Sequence, residues 1–197
     1  KKKKRMQTCK VIDNLFDELF IQEISRRVSN IPVSPNNVAG ERTYPYGLKG
    51  SSLIFGSTLF DRKSVNHINV LEPAAKIFFP ILEKIENHLE TKFYCKSIFL
   101  NVQCIGQDGA EHTDSENKDD LTILQFTTAN WKSDCGGEFE LCNPKEVYDY
   151  VPGRIIVVPS HIPHRALAPT DSSLIRTSIA YRVKPLHKNN QYNYSYQ

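Results

Sequence analysis

No run of uncharged apolar residues approaches the ~20 needed to cross a bilayer, so no membrane-spanning helix is expected. The opening Lys1-Lys2-Lys3-Lys4-Arg5 is not followed by an apolar stretch, so a secretory leader is not expected either. Cys-x-x-Cys spacing is missing, which removes the commonest structural zinc pattern. The five cysteines (Cys9, Cys95, Cys104, Cys135 and Cys142) are odd in number and widely spaced, which argues against a disulfide framework. Free thiols suit a reducing compartment, and a cytoplasmic location is the expectation. No internal repeat is visible, and the body has no basic stripe interleaved with aromatics, so nucleic acid is not expected as a partner.

The formal charge of +3 is localised. Five of the 25 basic residues fill positions 1–5, which leaves 20 facing 22 acidic ones. Residues 1–12 therefore read as a basic flexible tail. A chain of 197 residues suits one domain with a real core. Residues 13–91 read as a helical and loop-rich support. Asp13 is a candidate N-cap before Leu15, Phe16, Leu19, Phe20, Ile24 and Val28, which recur at helical spacing. An irregular stretch from Ile31 to His67 follows, rich in Pro, Gly and aromatics, and then a second helical pattern from Ile77 to Leu89. Pro80 either kinks that helix or lies in its first turn. Residues 92–186 change character: short β-rich runs recur at Phe93–Ile105, Leu121–Thr128, Glu138–Leu141, Arg154–Val158 and Leu174–Val183, the spacing of a β-sandwich or barrel. The polar tail 187–197 reads as frayed. The expected fold class is mainly β with flanking N-terminal helices.

Three short patterns carry chemistry. In His112-Thr-Asp114 the two side chains point to one side of an extended segment and can act as cis ligands of a divalent metal. About fifty residues on, the apolar run ending at Val158 leads into Pro159-Ser-His161-Ile-Pro-His164. A third ligand from here would complete a two-His, one-carboxylate face, the arrangement of non-haem Fe(II) oxygenases. His161 and His164 compete for that role; His164 has the better spacing to the third pattern, Arg176-Thr-Ser178. Arg176 and Ser178 share a face, and a buried arginine beside a hydroxyl suits a bidentate grip on a carboxylate.

The stretch from about Phe93 to Val183 resembles the prolyl 4-hydroxylase-like branch of the 2-oxoglutarate and Fe(II)-dependent oxygenases. The resemblance rests on landmarks in order: Gly106-Gln-Asp-Gly109, His112-Thr-Asp114, Leu121-Thr-Ile-Leu124, Trp131, Gly136-Gly-Glu-Phe139, Pro152-Gly-Arg154, His164-Arg-Ala166 and Arg176-Thr-Ser178. It implies a double-stranded β-helix (a cupin-like jelly-roll), Fe(II) on His112, Asp114 and His164, and 2-oxoglutarate as cosubstrate with its distal carboxylate on Arg176 and Ser178. It further implies hydroxylation of a C–H bond with release of succinate and CO2, with ascorbate as a possible reductant. A prolyl or other protein side chain is then the favoured substrate. A free metabolite or nucleobase, or a non-catalytic metal-binding module, are the alternatives, because fold does not fix substrate. Family members place tyrosines where this chain has Gln103 and Gln125, and these two amides are expected to line the cosubstrate pocket. Asn130 before Trp131 also departs from the family spacing. His161, Tyr44, Tyr46 and Arg154 are candidates for a substrate rim, and Arg182 is left between surface ion pair and substrate contact. Oligomeric state is not legible.

Overall fold

The computed structural model describes residues 8–37, 54–64, 67–70 and 73–186. The Lys/Arg run at positions 1–5, Tyr44, Tyr46 and the tail 187–197 lie outside the described residues. The chain runs β1 (Lys10–Ile12), α1 (Glu18–Val28), β2 (Ser34–Asn37), β3 (Ile54–Ser64), β4 (His67–Val70), a 3₁₀ turn (Pro73–Ile77), α2 (Phe78–Leu89), β5 (Phe93–Gln103), β6 (Leu121–Phe126), β7 (Phe139–Cys142), β8 (Lys145–Tyr148), β9 (Ile155–Pro159), β10 (His164–Ala166) and β11 (Arg176–Pro185).

Two antiparallel sheets form a double-stranded β-helix with the helices packed outside it. The larger sheet has the order β1-β9-β6-β11-β5-β3-β2, with β4 beside β3; the smaller is β10-β7-β8. Side-chain alternation sorts the larger sheet into two faces. Ile98, Leu100, Ile123, Ile155, Val157, Ile179 and Tyr181 meet Ile24 and Val28 of α1 and Phe78, Ile81, Leu82 and Ile85 of α2 in one cluster. Leu124, Phe126, Ile156, Val158 and Ala180 face the other way, onto Phe139 and Leu141 of the smaller sheet. The apolar run Ile155–Val158 is continuous because it is buried on both faces.

Helix boundaries follow local chemistry. Asp17, not Asp13, caps α1, accepting from the Phe20 backbone N–H at 2.8 Å. The Asp13 carboxylate is instead taken by the Arg154 guanidinium at 2.8 and 3.0 Å. Pro80 sits in the first turn of α2, where its missing N–H costs nothing. Buried Glu86 accepts from the Phe93 N–H and from Lys92 Nζ, fastening the end of α2 to β5.

Two readings of the sequence need correction. Residues 10–12 of the basic tail form an edge strand paired with β9. The stretch read as irregular contains β3, which pairs with β5 through Phe55–Asp61. Its polar residues (Ser57, Thr58, Asp61, Arg62) flank the buried pair Leu59 and Phe60, and a register shift between Thr58 and Phe60 interrupts the alternation there; Phe60 is core, edge-on to Phe79.

Gly153 marks where α1 meets the sheet. It adopts φ +77°, and a Cβ there would lie 2.4 Å from Ile21 Cδ1. Gly153→Ala should therefore cost about 1–3 kcal/mol from backbone strain and overlap together. In a chain of this length that corresponds to a melting temperature lower by about 3–10 °C, readable by circular dichroism.

Candidate functional site

The site lies between the two sheets, on the face of the larger one turned away from the helices. Main-chain pairing builds it. His112 and His164 form a reciprocal antiparallel bridge, with N–H···O distances of 3.0 and 2.9 Å, which brings their imidazoles to a centroid separation of 4.6 Å. Asp114, two residues on, is fixed by donation from its N–H to the Ser160 carbonyl at 2.9 Å. Asp114 Oδ2 lies 3.4 Å from His164 Nε2, and Oδ1 lies 3.7 Å from His112 Nε2. One donor atom from each residue falls within 4.8 Å of the others.

These donors suit a divalent metal. His112 Nδ1 lies 2.9 Å from the Ala110 carbonyl and His164 Nδ1 lies 2.7 Å from that of Ile162. A carbonyl can only accept, so each Nδ1 carries a proton, and an Nε2 without a proton of its own offers a metal its lone pair on the carboxylate side. Cis ligands on bonds of ~2.1 Å stand about 3 Å apart, so only small inward shifts would be needed. Burial, then the neighbouring His164, lower the pKa of His112 and favour the neutral imidazole that a metal requires. Burial alone would raise the pKa of Asp114. The hydrogen bond with His164 and the charge of Arg182 win, and hold the carboxyl well below its usual range. Asp114 is thus an anion with both oxygens engaged: Thr122 Oγ1 donates to Oδ2 at 2.6 Å, and Arg182 Nη2 donates to Oδ1 at 2.8 Å.

Arg176 begins β11 and is fully buried. Its Nε donates to the Gly137 carbonyl at 2.8 Å, and Nη1 donates to Gln103 Oε1 at 2.9 Å and Ser178 Oγ at 3.2 Å. Nη2 is buried with no acceptor. The guanidinium packs on Phe126 and Tyr150, with 5.2 and 5.4 Å to the ring centroids. Burial pulls its pKa down to about 10, with Tyr150 and Glu138 opposing the shift. Among the described residues no carboxylate forms an ion pair with it. A buried cation lacking both a counter-ion and one acceptor is costly unless an anion completes it. The carboxylate end of 2-oxoglutarate fits that requirement, and Ser178 is in place beside it.

The other expected site residues divide. Gln103 stands opposite Arg176 in the β5–β11 register and orients it, its own Nε2 donating to the Gln107 and Ala166 carbonyls at 2.7 and 3.1 Å. Ala166 is two residues past His164 on β10, so this bond also ties the arginine to the histidine strand. Gln125 is not brought to the pocket. Its Oε1 accepts from the Tyr181 hydroxyl at 3.0 Å, and Tyr181 belongs to the helix-facing cluster. One residue of parity separates Gln125 from Phe126 and Leu124 on the site face. Gln125→Leu should accordingly leave the KM for 2-oxoglutarate within about twofold of wild type in a steady-state assay. Arg154 is also no rim residue, because its guanidinium is spent on Asp13 and the Asp149 carbonyl. His161 is half-buried on the turn before His164, with Nδ1 lacking a hydrogen-bond partner. Trp131 packs on Tyr150 and donates to the Gly136 carbonyl, while a Cβ on Gly137 (φ +79°) would strike its ring at 2.4 Å.

Thr122, Ser160 and Arg182 are site residues that the sequence reading did not place. Arg182 had a usable signal: it stands six residues after Arg176, an even spacing that shares the face of Arg176 and Ser178. Thr122 and Ser160 bond each other at 2.9 Å and have no comparable pattern.

No family model matches the chain, and no curated protein matches it. Solved structures do. A 2OG-Fe(II) oxygenase family oxidoreductase from Burkholderia pseudomallei aligns with TM-score 0.68 and 15% identity, over 90% of this chain and 85% of that one. A prolyl hydroxylase from Trichoplax adhaerens, in complex with a hypoxia inducible factor oxygen degradation domain peptide fragment, gives 0.63 and 15%, over 91% and 84%. A non-haem α-ketoglutarate dependent carbocyclase from nogalamycin biosynthesis, SnoK, gives 0.62 and 12%, over 91% and 80%. The chain therefore has the fold of the 2OG-Fe(II) oxygenases, prolyl hydroxylases among them.

Proposed function

We propose that this protein is an Fe(II)- and 2-oxoglutarate-dependent dioxygenase that hydroxylates a C–H bond, with a prolyl or other protein side chain as substrate. The observation that carries the reading is Arg176: a fully buried guanidinium with an unfilled donor, on the face of the sheet that also holds the His112–Asp114–His164 cluster. His112 and His164 would each give an Nε2 lone pair to iron and Asp114 one oxygen, leaving positions open for cosubstrate and O2. Arg176 and Ser178 would hold the distal carboxylate of 2-oxoglutarate, with Gln103 keeping the guanidinium fork in place. Phe126 and Tyr150, stacked at 4.3 Å and packed on the guanidinium, would help to keep water from the clamp. Iron bound there would supply O2 activation, with 2-oxoglutarate oxidised to succinate and CO2. Ascorbate as reductant and a reducing, cytoplasmic setting belong to the same proposal; the five cysteines are all free.

A peptide substrate is favoured because the prolyl hydroxylase of similar fold binds one. The test has two stages. Purified protein with Fe(II), ascorbate and 2-oxoglutarate should release succinate even without substrate; none above a metal-free control would refute the enzyme class. Proline-containing peptides and a metabolite panel are then screened for a mass gain of about 16 Da. A gain confined to metabolites would overturn the protein-substrate assignment and leave the chemistry standing.

A further inference from the structure

Arg182 is an unusual neighbour for a metal centre. Its Nη2 lies 2.8 Å from Asp114 Oδ1, the oxygen that also faces His112. The guanidinium rests on Phe99, 4.9 Å from the ring centroid, and about two-fifths of the side chain is exposed. Its Cα pairs with Thr122 and Ser97, and the register shift between Arg182 and Val183 re-aims the strand there. The remaining charges near the cluster nearly cancel. Lys96 Nζ is 2.6 Å from Asp120 Oδ2, which also receives Ser115 Oγ, and an imidazole serving as a metal ligand brings no charge of its own. The single carboxylate that could meet a dication is thus already matched by one positive charge.

We propose that Arg182 makes metal binding depend on an anion: it weakens the triad's hold on a bare divalent ion and restores it when the dianionic cosubstrate enters. The inference rests on the reading of the triad as a metal site. A dication among the three donors would stand within roughly two hydrogen-bond lengths of the guanidinium, where like charges repel strongly in a half-buried setting. A dianion arriving at the metal supplies the charge that offsets this, so each ligand raises the affinity of the other. Thr122 donates to Oδ2 and keeps the carboxylate oriented whether or not Arg182 is present.

The test uses Mn(II) as the probe, with free Mn(II) counted by electron paramagnetic resonance, in wild type, Arg182→Met and Arg182→Lys, with and without 2-oxoglutarate. Wild type should bind Mn(II) about tenfold or more tightly when 2-oxoglutarate is present. Arg182→Met should bind bare Mn(II) about tenfold more tightly than wild type and respond to 2-oxoglutarate by less than about threefold. Arg182→Lys, which keeps the charge without the fork, should behave like wild type. Bare-metal affinity in Arg182→Met that is unchanged or weaker would overturn the proposal, as would Arg182→Lys behaving like the methionine variant. Failure of the underlying reading is separable: wild type would then not bind Mn(II) in either condition, and Asp114→Ala would match it.

Discussion

Asp114→Ala should lower succinate formation by more than about a thousandfold while the fold survives. Outer groups that merely orient a metal ligand typically cost 10–100-fold when removed, and Asp114 is the only anionic donor of its cluster. Without it only the two imidazole donors of the cluster remain, and no anionic ligand offsets the charge of a dication. The fold should tolerate the change because the partners it strands can reach other acceptors. Arg182 is two-fifths exposed and can hydrate, and Thr122 Oγ1 retains Ser160 Oγ at 2.9 Å. The bridge between His112 and His164 is main-chain and does not involve the carboxylate. A melting temperature within a few degrees of wild type, together with lost Mn(II) binding and lost succinate, is the expected pair of results. Wild-type turnover in Asp114→Ala would refute the ligand assignment.

Arg176→Met should raise the KM for 2-oxoglutarate by about a hundredfold, with a much smaller change in kcat at saturation. Two charge-assisted hydrogen bonds to a carboxylate contribute about 3 kcal/mol together at the low end of their range, and the methionine can make neither. Stability responds to two opposing effects. Relief of an unneutralised buried cation favours the variant, whereas Gly137 O and Gln103 Oε1 lose their donor. The net shift in melting temperature is expected to stay within about 5 °C. Arg176→Lys keeps the charge but not the fork and should fall between the two. Steady-state kinetics over a wide 2-oxoglutarate range decide the matter, and an unchanged KM would exclude Arg176 as the clamp.

How much of this was legible in the sequence depended on whether the signal was periodic. The β9 run and both helices announce themselves because burial on one or two faces dictates apolar spacing. His112 and Asp114 are two apart, so their common direction follows from strand geometry alone, and the same holds for Arg176 and Ser178. β3 was missed because Ser57 and Thr58 precede, and Asp61 and Arg62 follow, its buried pair Leu59 and Phe60, which breaks the period-two pattern. Gln125 was misplaced for a different reason. An amide between Leu124 and Phe126 has buried neighbours on both sides, and only the pairing partners reveal which face it takes. Asp13 looked like a cap because its partner, Arg154, is 141 positions away. Long-range partners of this kind leave no local trace.

The reciprocal pair of N–H···O bonds between His112 and His164 has a kinetic consequence. Two imidazoles anchored on one main-chain ladder step cannot separate unless both amides release together. Deuterium uptake at those two positions should therefore be slow and correlated, and it would report directly how often the inner edge of the barrel breathes.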